Sequence, residues 1–141
     1  MLLAIDIGNT NLTCGIFVKG QLKRQFDLPA KTYKKGQLAN KIRNYPKISA
    51  GVICSVVPKL TRIVQAELRQ LTGKYPYIIG KDLIVPIENR YRVPKQVGQD
   101  RLVNAYAAST LYGAPLVIID SGTAITFDVI SKDQAYLGGL I

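Results

Sequence analysis

Leu2-Leu3-Ala4-Ile5-Asp6-Ile7-Gly8-Asn9-Thr10 opens the chain, and Leu116-Val117-Ile118-Ile119-Asp120-Ser121-Gly122-Thr123-Ala124 repeats its pattern near the end. In both stretches an apolar run enters Asp-x-Gly, passes small hydroxyl or amide residues, and continues as a second apolar run. Apolar runs of this length bounded by turn residues predict strand, turn and strand. A repeat of one such unit points to two domains of one fold. The repeat divides the chain at residues 1–115 and 116–141. The second copy then stops early, roughly 100 residues short of a second domain as long as the first.

Outward from the first copy, residues 12–18 form the return strand, Lys19-Gly20-Gln21 a further turn, and residues 22–28 a strand with one exposed face. The links between these three strands are too short for parallel crossovers, so an antiparallel meander is expected. A helix is predicted over 34–45, with Leu38, Ala39, Ile42 and Tyr45 on one side and Pro46 as its stop. Residues 50–57 read as a buried strand. The next helix begins at Pro58, carries Leu60, Ile63, Val64, Leu68 and Leu71 as its apolar stripe, and ends at Gly73. Residues 75–79 form a short strand, and 81–96, with two prolines and little periodicity, a surface excursion. A helix over 100–112 follows, with Asp100 as N-cap and Gly113 as its stop, and then the strand from Leu116. Strands alternating with helices in this way predict an α/β domain with a mixed sheet.

Composition narrows the chemistry. Of 141 residues, 48% are apolar and 20% charged, which suits a buried core and argues against disorder. Histidine is absent, which removes hydrolase schemes built on Ser/His/Asp or Cys/His. Cys14 and Cys54 lie within apolar runs without metal-ligand spacing and read as reduced core thiols. No apolar run approaches the roughly 20 residues of a membrane span. Asp6 interrupts the only N-terminal apolar run, and no basic region precedes it, so a cytoplasmic location is expected without membrane association. The net charge of +10 comes from scattered lysines and arginines, which read as a solvated basic surface rather than a nucleic-acid stripe.

Each motif admits two readings. At Gly8, a residue without Cβ permits positive φ and lets a phosphate approach the backbone. The amides of 8–11, with the Thr10 and Thr13 hydroxyls, would form a nest of donors, and Asp6 would meet phosphate through hydrated Mg²⁺. Alone, the same residues make an ordinary hairpin. The second copy at 120–124 favours the nucleotide reading, since two coincidental hairpins have no reason to match. Neither a Walker A loop nor Gly-x-Gly-x-x-Gly occurs. At Val97-Gly98-Gln99-Asp100-Arg101, Gly98 allows a tight turn into a helix whose start favours an anion. Arg101 is suited to a carboxylate and Asp100 to accepting a proton from a hydroxyl, or the pair simply caps and solvates the helix.

Asp6-Ile7-Gly8-Asn9-Thr10, then Pro94-x-x-Val97-Gly98-x-Asp100-Arg101-x-x-Asn104-Ala105, then Asp120-Ser121-Gly122-Thr123-Ala124-x-Thr126-x-Asp128 together resemble the three signature motifs of type III pantothenate kinases. Gly138-Gly139-Leu140-Ile141 resembles the start of that family's next glycine-rich segment. The resemblance implies the actin-like, sugar-kinase fold of duplicated ribonuclease-H-like domains, with a mixed five-stranded sheet and, in this chain, an incomplete second copy. By the same resemblance Asp6, Ile7, Gly8, Asn9, Thr10, Asn11, Leu12 and Thr13 form the ATP phosphate loop, and Thr123 is a second ATP contact. Tyr91, Gly98, Gln99, Asp100 and Arg101 would bind pantothenate, with Asp100 the proton acceptor. Asp120 would hold a monovalent cation, K⁺ or NH₄⁺, and Asp6 would hold Mg²⁺ through water. Family members are homodimers, with ATP as co-substrate and 4′-phosphopantothenate, on the way to coenzyme A, as product. A rival reading follows relatives described as accessory factors for transcription, for which a basic chain would suit nucleic acid.

Overall fold

The computed structural model describes residues 1–45, 48–122 and 124–141. Pro46, the expected helix stop, and Thr123, the expected second ATP contact, lie outside the described residues. Contacts divide the chain into two compact units, Met1–Leu83 and Ile84–Ile141.

In the first unit, β1 (Leu2–Ile7), β2 (Asn11–Val18) and β3 (Gln21–Pro29) form the expected antiparallel meander. Lys19 and Gly20 both take positive φ, which suits a two-residue hairpin link whose twist matches that of the strands. Next come α1 (Gln37–Ile42), β4 (Ala50–Ser55), α2 (Pro58–Thr72) and β5 (Tyr77–Ile78). Strand β4 lies parallel to β1 and β5 parallel to β4, giving a mixed five-stranded sheet of order β3-β2-β1-β4-β5. The α/β class and mixed sheet read from the sequence are therefore present.

Period-2 alternation decides which face is core. Leu3, Ile5 and Ile7 of β1 and Leu12, Cys14 and Ile16 of β2 are all at most 2% exposed, and Leu60, Val64 and Leu68 of α2 pack in the same cluster. Each such apolar side chain contributes about 1.5–3 kcal/mol of burial. Pro58 starts α2 and Gly73, at φ 71°, ends it, as expected. The α2 stripe is narrower than its sequence suggests. Ile63 and Leu71 are exposed, and the inward position between Val64 and Leu68 belongs to Glu67. Its buried carboxylate accepts from the Tyr33 hydroxyl at 2.8 Å and from the Ala39 amide at 2.9 Å, tying α1 to α2. The α1 helix is also shorter than expected, because Gly36 at φ 98° breaks the backbone just before it.

The second unit holds α3 (Gln99–Tyr112), β6 (Leu116–Ser121), β7 (Ile125–Ile130) and β8 (Tyr136–Leu140), with an antiparallel sheet of order β6-β7-β8. Val97, Leu102 and Ala105 pack against Ile130 and Tyr136. The stretch ahead of α3 has no long element, as expected, but it is not loose. Asn89 pairs in parallel with Tyr136, the Arg90 amide donates to the Tyr136 carbonyl, and the Tyr136 amide donates to the Glu88 carbonyl. No helix among the described residues is long and apolar enough to cross a membrane.

Candidate active site

The Asp-x-Gly turn of the first unit sits where β1 passes to β2. Asp6 lies opposite Thr13 across the antiparallel pair, so the two side chains share a face. The Gly8 amide donates to the Asn11 carbonyl at 2.9 Å and closes the turn. Asp6, Asn9, Thr10 and Asn11 are exposed and Thr13 is half-buried, whereas Ile7 and Leu12 are fully buried core residues. Those two can meet a ligand only through backbone groups. Gly8 does not take the positive φ that a glycine would permit there. A Cβ there would meet only the Asn11 carbonyl at 3.4 Å, an ordinary contact. Turn conformation therefore does not require the glycine.

The second unit builds the same device. Asp120 lies opposite Thr126, and the Gly122 amide donates to the Ala124 carbonyl at 3.0 Å. The link is one residue shorter, since Ser121 pairs with Ile125 whereas Ile7 pairs with Leu12. Strand, Asp, paired Thr and closing Gly amide thus recur, as the internal sequence repeat implies.

Helix α3 explains the spacing in Asp100-Arg101-x-x-Asn104. Residues three apart share a helix face, and here that face meets two aspartates of the β6–β7 hairpin. The Arg101 guanidinium donates through Nε to Asp128 Oδ1 at 2.8 Å and places Nη2 2.7 Å from the same oxygen. Nη2 also donates to the Phe127 carbonyl at 3.0 Å. The Asn104 Nδ2 donates to Asp120 Oδ2 at 3.4 Å. Burial opposes the Arg101 charge, yet the hydrogen bond and charge of Asp128 leave its pKa raised. The Tyr136 hydroxyl donates to the same Asp128 oxygen at 2.6 Å, and burial followed by this bond pushes the phenol well above its usual range. Asp100 is not the N-cap. Gly98 occupies that position without any side-chain cap bond, and Asp100 lies within the first turn. A carboxylate there interacts favourably with the helix dipole and is left uncommitted to capping.

Two glycines of β8 make room for this corner. A Cβ on Gly138 would come 2.7 Å from the Tyr91 ring, and one on Gly139 would come 2.5 Å from Arg101 Nη2 and still closer to the Phe127 carbonyl. Gly138-Gly139 is therefore the floor on which Tyr91 and Arg101 rest. Among the described residues no three His, Cys, Asp or Glu side chains cluster as a metal site. The oxygen donors Asp6 and Asp120 suit hard cations, whose remaining ligands must then come from phosphate, backbone or water.

A family model described as type III pantothenate kinase matches residues 2–141. This chain belongs to the type III pantothenate kinase family. It is 38% identical to the type III pantothenate kinase of Moorella thermoacetica and 39% identical to that of Persephonella marina, each alignment covering 100% of this chain and 59% of the relative. The Finegoldia magna protein of the same name is 37% identical, with 100% of this chain and 57% of the relative covered. The chain thus spans somewhat under three-fifths of the length of these relatives.

Asn104 and Asp128 lie within the motifs, but no task for either follows from the sequence. That Arg101 and Asn104 share a helix face is legible from their spacing, whereas their partners on the hairpin are not. Tyr136 carried no such signal. Its pairing with Ile130 comes after a register shift between Val129 and Ile130.

Proposed function

We propose that this chain supplies the phosphate turn and the acceptor corner of an ATP-dependent pantothenate kinase. The observation carrying this reading is that all three signature motifs lie in order within a chain matched from end to end by the family model. Support for the duplicated actin-like, sugar-kinase fold comes from the β3-β2-β1-β4-β5 order and from the recurrence of the Asp-x-Gly hairpin at the start of 116–141. In that reading residues 1–115 are the first domain and 116–141 the opening strands of the second.

The work of the residues follows from their chemistry. Asp6, Ile7, Gly8, Asn9, Thr10, Asn11, Leu12 and Thr13 hold ATP phosphates through backbone amides and hydroxyls, and Thr123 adds a second contact. Tyr91, Gly98, Gln99, Asp100 and Arg101 form the corner that receives pantothenate. Asp100 accepts the proton of the primary hydroxyl as that oxygen attacks the γ-phosphorus in line, the bond to the β–γ bridging oxygen breaks, and ADP leaves. Asp6 would hold Mg²⁺ through water and Asp120 would hold K⁺ or NH₄⁺, cations that would offset the negative charge of transfer. The product is 4′-phosphopantothenate, the first intermediate towards coenzyme A. The enzyme acts as a cytoplasmic homodimer.

The test is a coupled ATPase assay on this chain and on a chimera in which it replaces the matching part of the Moorella thermoacetica kinase. Pantothenate should stimulate ADP release, and alternative alcohols should not. Equal stimulation by unrelated alcohols would sink the acceptor assignment. Salt-sensitive DNA affinity in place of phosphorylation would instead favour the transcriptional reading.

A further inference from the structure

Among the described residues of the second unit, Asp128 is the one carboxylate that is both buried, at 1% exposure, and surrounded by committed donors. Arg101 approaches it from α3 and Tyr136 from β8, while Arg101 also reaches the Phe127 carbonyl of β7. Three separate elements therefore meet at one oxygen. The Nε–Nη2 edge of the guanidinium is committed in this way, so a ligand carboxylate would meet Arg101 through Nη1. Gly139 reinforces the arrangement, because any side chain there would displace the guanidinium. The residue immediately before Arg101 is Asp100. Whatever fixes Arg101 fixes the first helical turn, where no side-chain cap does so.

We propose that Asp128 is a positioning residue of the acceptor site: by clasping Arg101 between β7 and β8 it holds the first turn of α3, and with it the Asp100 carboxylate. The proposal rests on the kinase reading above for its functional consequence, while the clasp itself has a readout that needs no activity.

In the chimeric kinase, Asp128→Asn should lower kcat about ten-fold or more, because a charge-assisted bond is lost where the proton acceptor is aimed. KM for ATP and for pantothenate should each stay within about three-fold, since Asp128 is buried at 1% exposure behind Arg101 and Tyr136. Arg101→Gln should lower kcat at least as far, and the Arg101→Gln/Asp128→Asn double variant should be no worse than Arg101→Gln alone, because each single change strands the other charge. Two results would overturn the proposal: unchanged kcat in Asp128→Asn, or a ten-fold rise in pantothenate KM with kcat held in that variant. Hydrogen exchange on the 141-residue chain supplies the activity-independent arm. Amides of Val103, Asn104, Ala105 and Tyr106 should exchange about ten-fold faster in Asp128→Asn, with Leu3 and Ile53 unchanged. Tyr136→Phe, which removes only the hydroxyl, should give a smaller acceleration at the same amides. No acceleration in either variant overturns the clasp. If the wild-type chimera fails to phosphorylate pantothenate while exchange accelerates as expected, the kinase reading falls and the clasp stands.

Discussion

The β1–β2 and β6–β7 hairpins share a sequence pattern, an Asp–Thr pairing and a glycine-closed turn, yet their surroundings differ in a regular way. In β1 the face opposite Asp6 carries Leu3, Ile5 and Ile7, all at most 2% exposed. The equivalent face of β6 carries Val117 and Ile119, which are 59% and 64% exposed, beside Phe127 and Val129 of β7 at 39% each. The Asp-bearing face is the one that α3 covers in the second unit, through Leu116, Ile118 and Ile130. Strand β1 is central, flanked by β2 and β4, whereas β6 ends its sheet. Hairpin geometry is thus a local property, written in strand pattern and turn residues. Whether a strand's second face becomes core depends on helices and strands contributed from elsewhere.

The sharpest way to break this comparison is to cut the same side chain at equivalent positions. Ile5→Ala should destabilise the first unit by about 2–5 kcal/mol, whereas Ile119→Ala should change stability by less than about 0.5 kcal/mol. Denaturant melts of the two variants measure this, and equal losses would mean the bare face is not bare in solution. A second contrast is in pH. Burial, and then the charge of Asp27, push the Cys14 thiol up to about 12, and the second unit contains no cysteine. With the folded pKa above the unfolded value, the contribution is complete below the unfolded pKa, near 9, and is lost as pH rises towards 12 because the unfolded chain ionises first. Stability of the first unit should therefore decline across that window, and Cys14→Ala should flatten the decline while lowering the neutral-pH plateau. The smallest expected effect concerns the turns themselves. Gly8→Ala and Gly122→Ala should each cost less than about 1 kcal/mol, since neither backbone has positive φ and neither Cβ meets an atom closer than 3.4 Å. Nucleotide affinity in Gly8→Ala should nonetheless weaken, and an unchanged affinity measured by calorimetry would make that turn a plain hairpin.

Much of the fold was legible because periodicity is local. The meander, the strand at Ala50–Ser55 and the Pro58-to-Gly73 helix follow from alternation, turn residues and caps. Legibility ended where side chains reach across the fold. Glu67 is not among the apolar residues of the stripe expected for α2, yet two donors from the segment around α1 draw it inward. Asp100 looked like an N-cap, but Gly98 in extended conformation takes that place and moves Asp100 into the helix. The Arg101–Asp128–Tyr136 cluster joins residues 27 and 8 positions apart, and no short-range pattern encodes it. The Asp and Gly residues of the candidate site stand out in the sequence because their chemistry is carried by type. Their support could not, because it is carried by packing.

The most direct test of the account follows the γ-phosphate. Labelled ATP and pantothenate are incubated with the chimeric kinase and with its Asp100→Asn variant, while ATP affinity is measured in parallel. Labelled 4′-phosphopantothenate is expected from the unaltered protein, at least about a hundred-fold less from the variant, and the same ATP affinity in both. Label transfer at an undiminished rate without the Asp100 carboxylate would contradict it.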